Sequence, residues 1–310
     1  MSQRDSAADL FRKKSRTFSL AARLFSRDDQ DAVARLYRFC RLLDDLADDT
    51  AQGETTELDQ VIAELDEGAR PSHPIAIDFL HLADERSLSI EAAQFLAKAL
   101  REDCGARRIE TESELIHFAF GVAGTVGLLM CPVLGVQNTR ALPFAVDLGI
   151  ALQLTNIARD VVEDADRNRY YLPKEWITPG RITHSIKNPG TDSKAVDHAL
   201  ARLLEVAEHF YQSAFLGHWF IPPRNRRAVF LATSLYREIG RSLLRLGHGS
   251  WRTRRSLSSK EKTVASFAAL KRYLKMKRKG WSSKDPPQHD KDLAKKLSLA
   301  GVQIENFTPR

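Results

Sequence analysis

The chain has 310 residues, enough to bury a sizeable core in one large domain or two small ones. Its 47 Lys and Arg against 40 Asp and Glu are unevenly spread, because Arg237 to Arg310 holds 19 basic and 6 acidic residues while the remainder is acidic on balance. Three cysteines without CxxC or Cys/His spacing exclude a disulfide framework and a structural zinc site, and the charge-broken first thirty residues exclude a secretory signal, so a reduced, cytoplasmic protein is expected.

Apolar residues recur at helical spacing along almost the whole chain and alternating strand-like runs are scarce, which predicts an all-α protein. Helices are expected near 16–25, 29–49, 55–67, 74–86, 90–104, 112–131, 140–165, 193–217, 225–248 and 260–278. The turn-rich stretches RPSHP, NPGTDS and IPPRN separate them. Nothing between Arg16 and Lys279 reads as an interdomain linker. Residues 1–280 are therefore expected to form one helical bundle domain with a central apolar cavity, and 281–310 a flexible basic tail.

Phe118 to Val136, FAFGVAGTVGLLMCPVLGV, is nineteen residues without a charge and long enough to span a bilayer. Its glycines and Pro132 argue against a lipid-facing helix, and no second such segment is read in the sequence. The expectation is a central helix buried on all sides, with Gly121, Gly124 and Gly127 lining one side for the close approach of a helix or a ligand chain.

Two helices change character along one face. On a wheel with about 100° per residue, Val33, Leu36, Tyr37, Cys40, Arg41, Asp44 and Asp48 share a sector, and Asp45 and Asp49 turn away from it. In VDLGIALQLTNIARDVVED, Asn156, Asp160 and Asp164 continue the sector of Val146, Gly149 and Gln153. Inward carboxylates are costly unless a cation neutralises them. Packed antiparallel, the two helices would need their acidic turns at the same end of the bundle for the patches to meet. If they meet, the oxygen ligands suit Mg²⁺ or Mn²⁺ rather than Zn²⁺, and Arg41 and Arg159 beside them suit a diphosphate. DDxxD alone is common on solvated helix ends; the pair of patches on core-facing sectors is what points to function.

SRTFSLAARLF, LYRFCRLLDDLADD and above all VDLGIALQLTNIARDVVEDADRNRYYLPKEW resemble the squalene and phytoene synthase family, the head-to-head prenyl transferases. FGVAGTVGLLMCPVLG and LYREIG extend the likeness from about Ser15 to Ser266, and it is strongest to the bacterial phytoene synthases. The resemblance implies an isoprenoid synthase bundle holding Mg²⁺ through Asp44, Asp48, Asn156, Asp160 and Asp164. It assigns diphosphate or prenyl contacts to Lys14, Ser15, Arg16, Thr17, Tyr37, Arg41, Gln153, Arg159 and Tyr236, and the shaping of the entrance to Arg169 and Tyr171. It further implies condensation of two C20 geranylgeranyl diphosphates to phytoene through a cyclopropyl diphosphate, without NADPH. Joining of C15 farnesyl diphosphates to presqualene diphosphate, squalene or dehydrosqualene is the nearest alternative. A terpene cyclase and a non-enzymatic phosphate or membrane-surface binder are more distant ones.

Phe118, Phe120 and Tyr37 are candidate ring faces near a carbocation, with ordinary core packing the alternative for each. Phe118 and Phe120 also depart from the family, which usually carries tyrosines ahead of VAGxVG, and that departure bears on product identity. The basic stretch LKRYLKMKRKGW is expected to give weak peripheral association with an anionic membrane. No nucleic-acid motif accompanies the charge, so no nucleic acid partner is expected.

Overall fold

Long amphipathic repeats set the architecture of the computed structural model, which describes residues 24–48, 56–66, 70–188, 193–279 and 285–307. The helices are α1 (Arg27–Asp48), α2 (Thr56–Glu64), α3 (Pro74–Arg86), α4 (Ile90–Glu102), α5 (Glu112–Ala119) and α6 (Thr125–Val133). They continue with α7 (Leu142–Asp166), α8 (Pro179–Lys187), α9 (Ser193–Gly217), α10 (Pro223–Leu246), α11 (Ser259–Lys279) and α12 (Lys291–Leu299). The bundle is all-α apart from a two-residue parallel pairing of β1 (Arg107–Arg108) with β2 (Arg169–Tyr170). The helix expected at 16–25 falls almost wholly outside the described residues.

In α1, Asp28 and Asp29 occupy the first turn, where the helix dipole favours anions, and the Asp29 amide donates to Ser26 Oγ at 3.2 Å. Its apolar stripe puts Leu36 and Leu43 at 0% exposure, each burial stabilising by about 2 kcal/mol. At the centre lies α7, packed against α6, α9 and α10.

The central apolar stretch is helical but not regular. Between α5 and α6 the chain widens into a π-helical turn, Phe120–Gly124, where Thr125 Oγ1 donates back to the Gly121 carbonyl at 2.7 Å. Gly124 and Gly127 face α7 as one side, whereas Gly121 turns to α4. A Cβ on Gly121 would strike Ala99 of α4, and one on Gly127 would come within 2.2 Å of the Ala145 carbonyl on α7. From the other helix, a Cβ on Gly149 would lie 2.1 Å from the Ala123 carbonyl. The pair Gly127 and Gly149 therefore lets two backbones touch in the middle of the bundle. Among the described residues two stretches, Glu112–Val133 and Thr139–Asp166, are long and apolar enough to cross a membrane, one more than expected, and both are mostly buried among other helices.

The C-terminal residues depart from the flexible tail expected. Asp290 caps α12 through the amides of Asp292 and Leu293, and Leu293, Leu297 and Phe307 are buried. The sequence hid this because lysines surround the two leucines, yet their spacing of four gives one apolar face. The helix α8 was missed for its brevity; Pro179 starts it and Ile182 anchors it.

Candidate active site

The acidic patches occupy the C-terminal turns of α1 and α7, and neither last turn carries a basic residue. That is the wrong end of a helix for carboxylates, because the dipole there is negative. The two helices need no antiparallel pairing: both deliver their C-terminal ends to one mouth.

Local chemistry builds that mouth. The helix α7 stops at Asp166, and Asn168 turns the chain through a left-handed conformation, φ +60°, which asparagine tolerates better than most residues. Strand β2 then pairs with β1, and Arg169 is brought back over the end of α1. Its Nη1 donates to Asp48 at 2.9 Å, as does Arg167. Arg41 bridges Asp44, at 2.7 Å, and Asp45. Arg159 forms a two-pronged bond to the neighbouring Asp160, with Nε at 2.8 Å.

One cavity of about 730 Å³ runs from this mouth into the bundle. Asp44, Asp48, Asn156, Asp160 and Asp164 line it, as do Tyr37, Arg41, Gln153, Arg159, Arg169, Tyr171 and Tyr236. Lys14, Ser15, Arg16 and Thr17 lie outside the described residues. Asp45 is not on the lining, in keeping with the wheel, and Asp49 is outside the described residues. Further in, the walls are Val33, Leu36, Val122, Val126, Leu148 and Leu152. Phe118 lines the cavity and stacks on Tyr171, with centroids 4.8 Å apart. Phe120 does not line it. Its ring packs between Phe95 and Phe307, as core, because the π turn rotates it away.

Four polar residues of the mouth escaped the sequence reading. Asp103, at the end of α4, accepts from Tyr171 Oη at 2.6 Å. Arg254 reaches Asp160 at 3.1 Å and Glu163 at 3.2 Å, and Arg167 joins Arg169 on Asp48. Asp103 belongs to no repeated spacing, and Arg254 is one of many cations in the basic C-terminal stretch, so neither carries a local signal.

At Asp164 and Asp103 burial outweighs the nearby positive charge. Burial, with the Asp160 and Asp103 charges beside it, pushes the Asp164 carboxyl up to about 7. Burial pushes Asp103 up to about 6 against the pull of Tyr171 and Arg169. Asn156 Oδ1 and Asp103 Oδ1 are buried without a hydrogen-bond partner. Such an all-oxygen donor set with orphaned acceptors fits a hard divalent cation. As they stand, Asp44, Asp48 and Asp160 pair with arginines, and among the described residues no three His, Cys, Asp or Glu converge closely enough to enclose an ion.

The squalene/phytoene synthase family profile matches residues 11–261. The chain is 33% identical over 286 residues to the phytoene synthase of Pseudescherichia vulneris, covering 88% of this chain and 93% of that one. It is 34% identical over 269 residues to the 15-cis-phytoene synthase of Enterobacter agglomerans, covering 82% and 90%. Among solved structures, a dehydrosqualene synthase in complex with ligand superposes with a TM-score of 0.75 at 26% identity, covering 87% of this chain and 95% of that one. With the matched stretch containing both acidic helix ends and the cavity between them, the chain belongs to the squalene/phytoene synthase family of prenyl transferases.

Proposed function

We propose that this enzyme joins two geranylgeranyl diphosphates head to head to form phytoene. The observation that carries the reading is the continuity of one cavity from five oxygen donors and several arginines to an apolar interior. Two of its relatives, at 33% and 34% identity, bear the name phytoene synthase.

Asp44, Asp48, Asn156, Asp160 and Asp164 would hold Mg²⁺, with Mn²⁺ as a substitute. Bound there, the ion supplies neutralisation of the charge that develops on a departing diphosphate. Arg41, Arg159 and Arg169 exchange their present carboxylates for diphosphate oxygens, and Tyr236 beside Arg159 and Tyr37 beside Arg41 narrow the entrance. When the C1–O bond of the first substrate breaks, the electron pair leaves with the diphosphate. The allylic cation stays among apolar walls and the faces of Phe118 and Tyr37, where water is excluded. The double bond of the second substrate closes on it, and the released diphosphate takes up the proton lost in forming the cyclopropane. Loss of the second diphosphate and rearrangement give a second cation, which loses a proton to the departed diphosphate and so becomes the hydrocarbon, with no reductant.

Condensation of C15 substrates is the second reading. It is favoured by the likeness to the dehydrosqualene synthase structure. Incubation with labelled C15 and C20 diphosphates, Mg²⁺, and NADPH present or absent separates the two. A C40 hydrocarbon formed without NADPH supports the proposal; a C30 product overturns the substrate assignment.

On the same reading the enzyme works in the cytoplasm, with weak, peripheral contact to an anionic membrane that receives the product. Along α11, Val264, Phe267, Leu270 and Leu274 are 50–70% exposed on one side, while Ala269, Tyr273 and Met276 pack inward. Lys260 and Lys271 stand within this exposed side and Lys275 at its edge. An apolar face interspersed with cations suits a leaflet of anionic lipid. Flotation with anionic liposomes that is unchanged by truncation at Leu270, or by Phe267→Glu with Leu274→Glu, would sink this part.

A further inference from the structure

Residues 285–307 lie beyond the stretch that matches the family, and the chemistry at the mouth uses none of them. They nevertheless reach the back of the cavity wall. His289, with only 14% of its side chain exposed, places Nε2 2.8 Å from Oδ2 of Asp147, an α7 carboxylate at 0% exposure. The same oxygen accepts from Ser213 Oγ on α9. The imidazole also stands edge-on to Phe144, with centroids 5.3 Å apart at 84°.

Phe144 belongs to the cavity lining and rests on Phe220 from another side. The α9 backbone closes on it as well, since a Cβ at Gly217 would come within 2.2 Å of Phe144 Cβ. Phe144 precedes Asn156 by twelve residues of one helix, which at 1.5 Å per residue is about 18 Å from the mouth. Leu134, Val136, Ala141 and Ile221 line the same deep end.

The rest of the segment is fastened too. Lys296 pairs with Glu112, Ser113 Oγ donates to the Leu299 carbonyl at 3.1 Å, and His117 Nδ1 stands 2.8 Å from the Ala300 carbonyl. Phe307 closes on Phe95 and Phe120. The segment is thus a strap fastened along α5, with His289 reaching α7 at the deep end.

We propose that Phe144 is the floor of the prenyl cavity, and that the strap, through His289 on Asp147 and Phe144, fixes that floor and so sets the longest prenyl chain admitted. The inference rests on the cavity being the prenyl site. A ring with close-packed neighbours on every side but one has nowhere to move. Removing the imidazole opens a space behind Phe144 into which the ring can retreat, deepening the cavity without touching the mouth.

The test is binding rather than turnover. Unreactive thiolodiphosphate analogues with C15, C20 and C25 chains are titrated calorimetrically, with Mg²⁺, into the full chain and into Phe144→Ala, His289→Ala and His289→Gln. The glutamine keeps a donor for Asp147 but removes the ring from Phe144, so it stays informative if the alanine variant folds poorly. Expected is a relative gain for the longest analogue over C15 of about tenfold or more in Phe144→Ala and both His289 variants. A length profile unchanged in Phe144→Ala overturns the floor, and one changed there but in neither His289 variant overturns the strap. Failure of every analogue to bind the unaltered protein overturns the prenyl reading and this inference with it.

Discussion

At the mouth, carboxylates from two helix ends crowd against arginines, and Asn156 and Asp103 each bury an oxygen without a hydrogen-bond partner. At the deep end, Phe144 is packed by Phe220, Gly217 and His289. The first region opposes the helix dipoles and its own charge repulsion, so it is stable only because the remaining fold enforces it. The second is close to an ordinary core. The contrast separates what is built for a charged ligand from what merely shapes the space behind it.

The largest expected break comes from the mouth. Asp160→Asn or Asp44→Asn should lower turnover of labelled prenyl diphosphate by about 10³-fold or more while leaving helical circular dichroism intact. Arginine geometry matters next: Arg159→Lys, which loses the planar two-pronged bond, should cost about 10²-fold in kcat/KM. Between the regions, Gly149→Ala forces a Cβ against the Ala123 carbonyl and should destabilise by about 3 kcal/mol in urea unfolding.

Smaller effects sharpen the comparison through pH. The Asp164 carboxyl is raised from 3.8 to about 7 in the fold, so between those values the unfolded chain ionises while the folded one holds its proton. Stability is lost as pH rises through this window. Asp164→Asn should therefore stabilise the metal-free protein at pH 8 by about 1–2 kcal/mol, although it removes a metal donor. His218, buried in the deep half of the cavity, behaves oppositely. Burial lowers it from 6.5 to about 4, so its contribution is complete above 6.5 and is lost as pH falls towards 4. His218→Gln should flatten the acid limb of the melting temperature by a few degrees, roughly 1 kcal/mol.

Much of this division was legible in the sequence because helical periodicity carries direction as well as type. The bounds 74–86 and 193–217 are as expected, and Asp44, Asp48, Asn156, Asp160 and Asp164 all reach the cavity that their wheels pointed to. Legibility ended where position depends on a non-local turn. Phe120 looked equivalent to Phe118 until the π turn rotated it into the core, and Asp103 joins the mouth only because Tyr171, just after β2, returns to meet it. The strap was invisible for another reason: its few apolar residues are scattered among charged and polar ones, and the contact that fixes it, His289 to Asp147, spans 142 positions.

In this account the mouth ionises the substrate, and the deep end only shapes and shields the cation that forms. The division is tested most directly by measuring diphosphate release and hydrocarbon product in the same incubations of Asp160→Asn and Phe144→Ala with geranylgeranyl diphosphate and Mg²⁺. Asp160→Asn is predicted to lose both signals, whereas Phe144→Ala still releases diphosphate but gives altered hydrocarbon or prenyl alcohol. Release at the unaltered rate in Asp160→Asn, or loss of release in a folded Phe144→Ala, would contradict it.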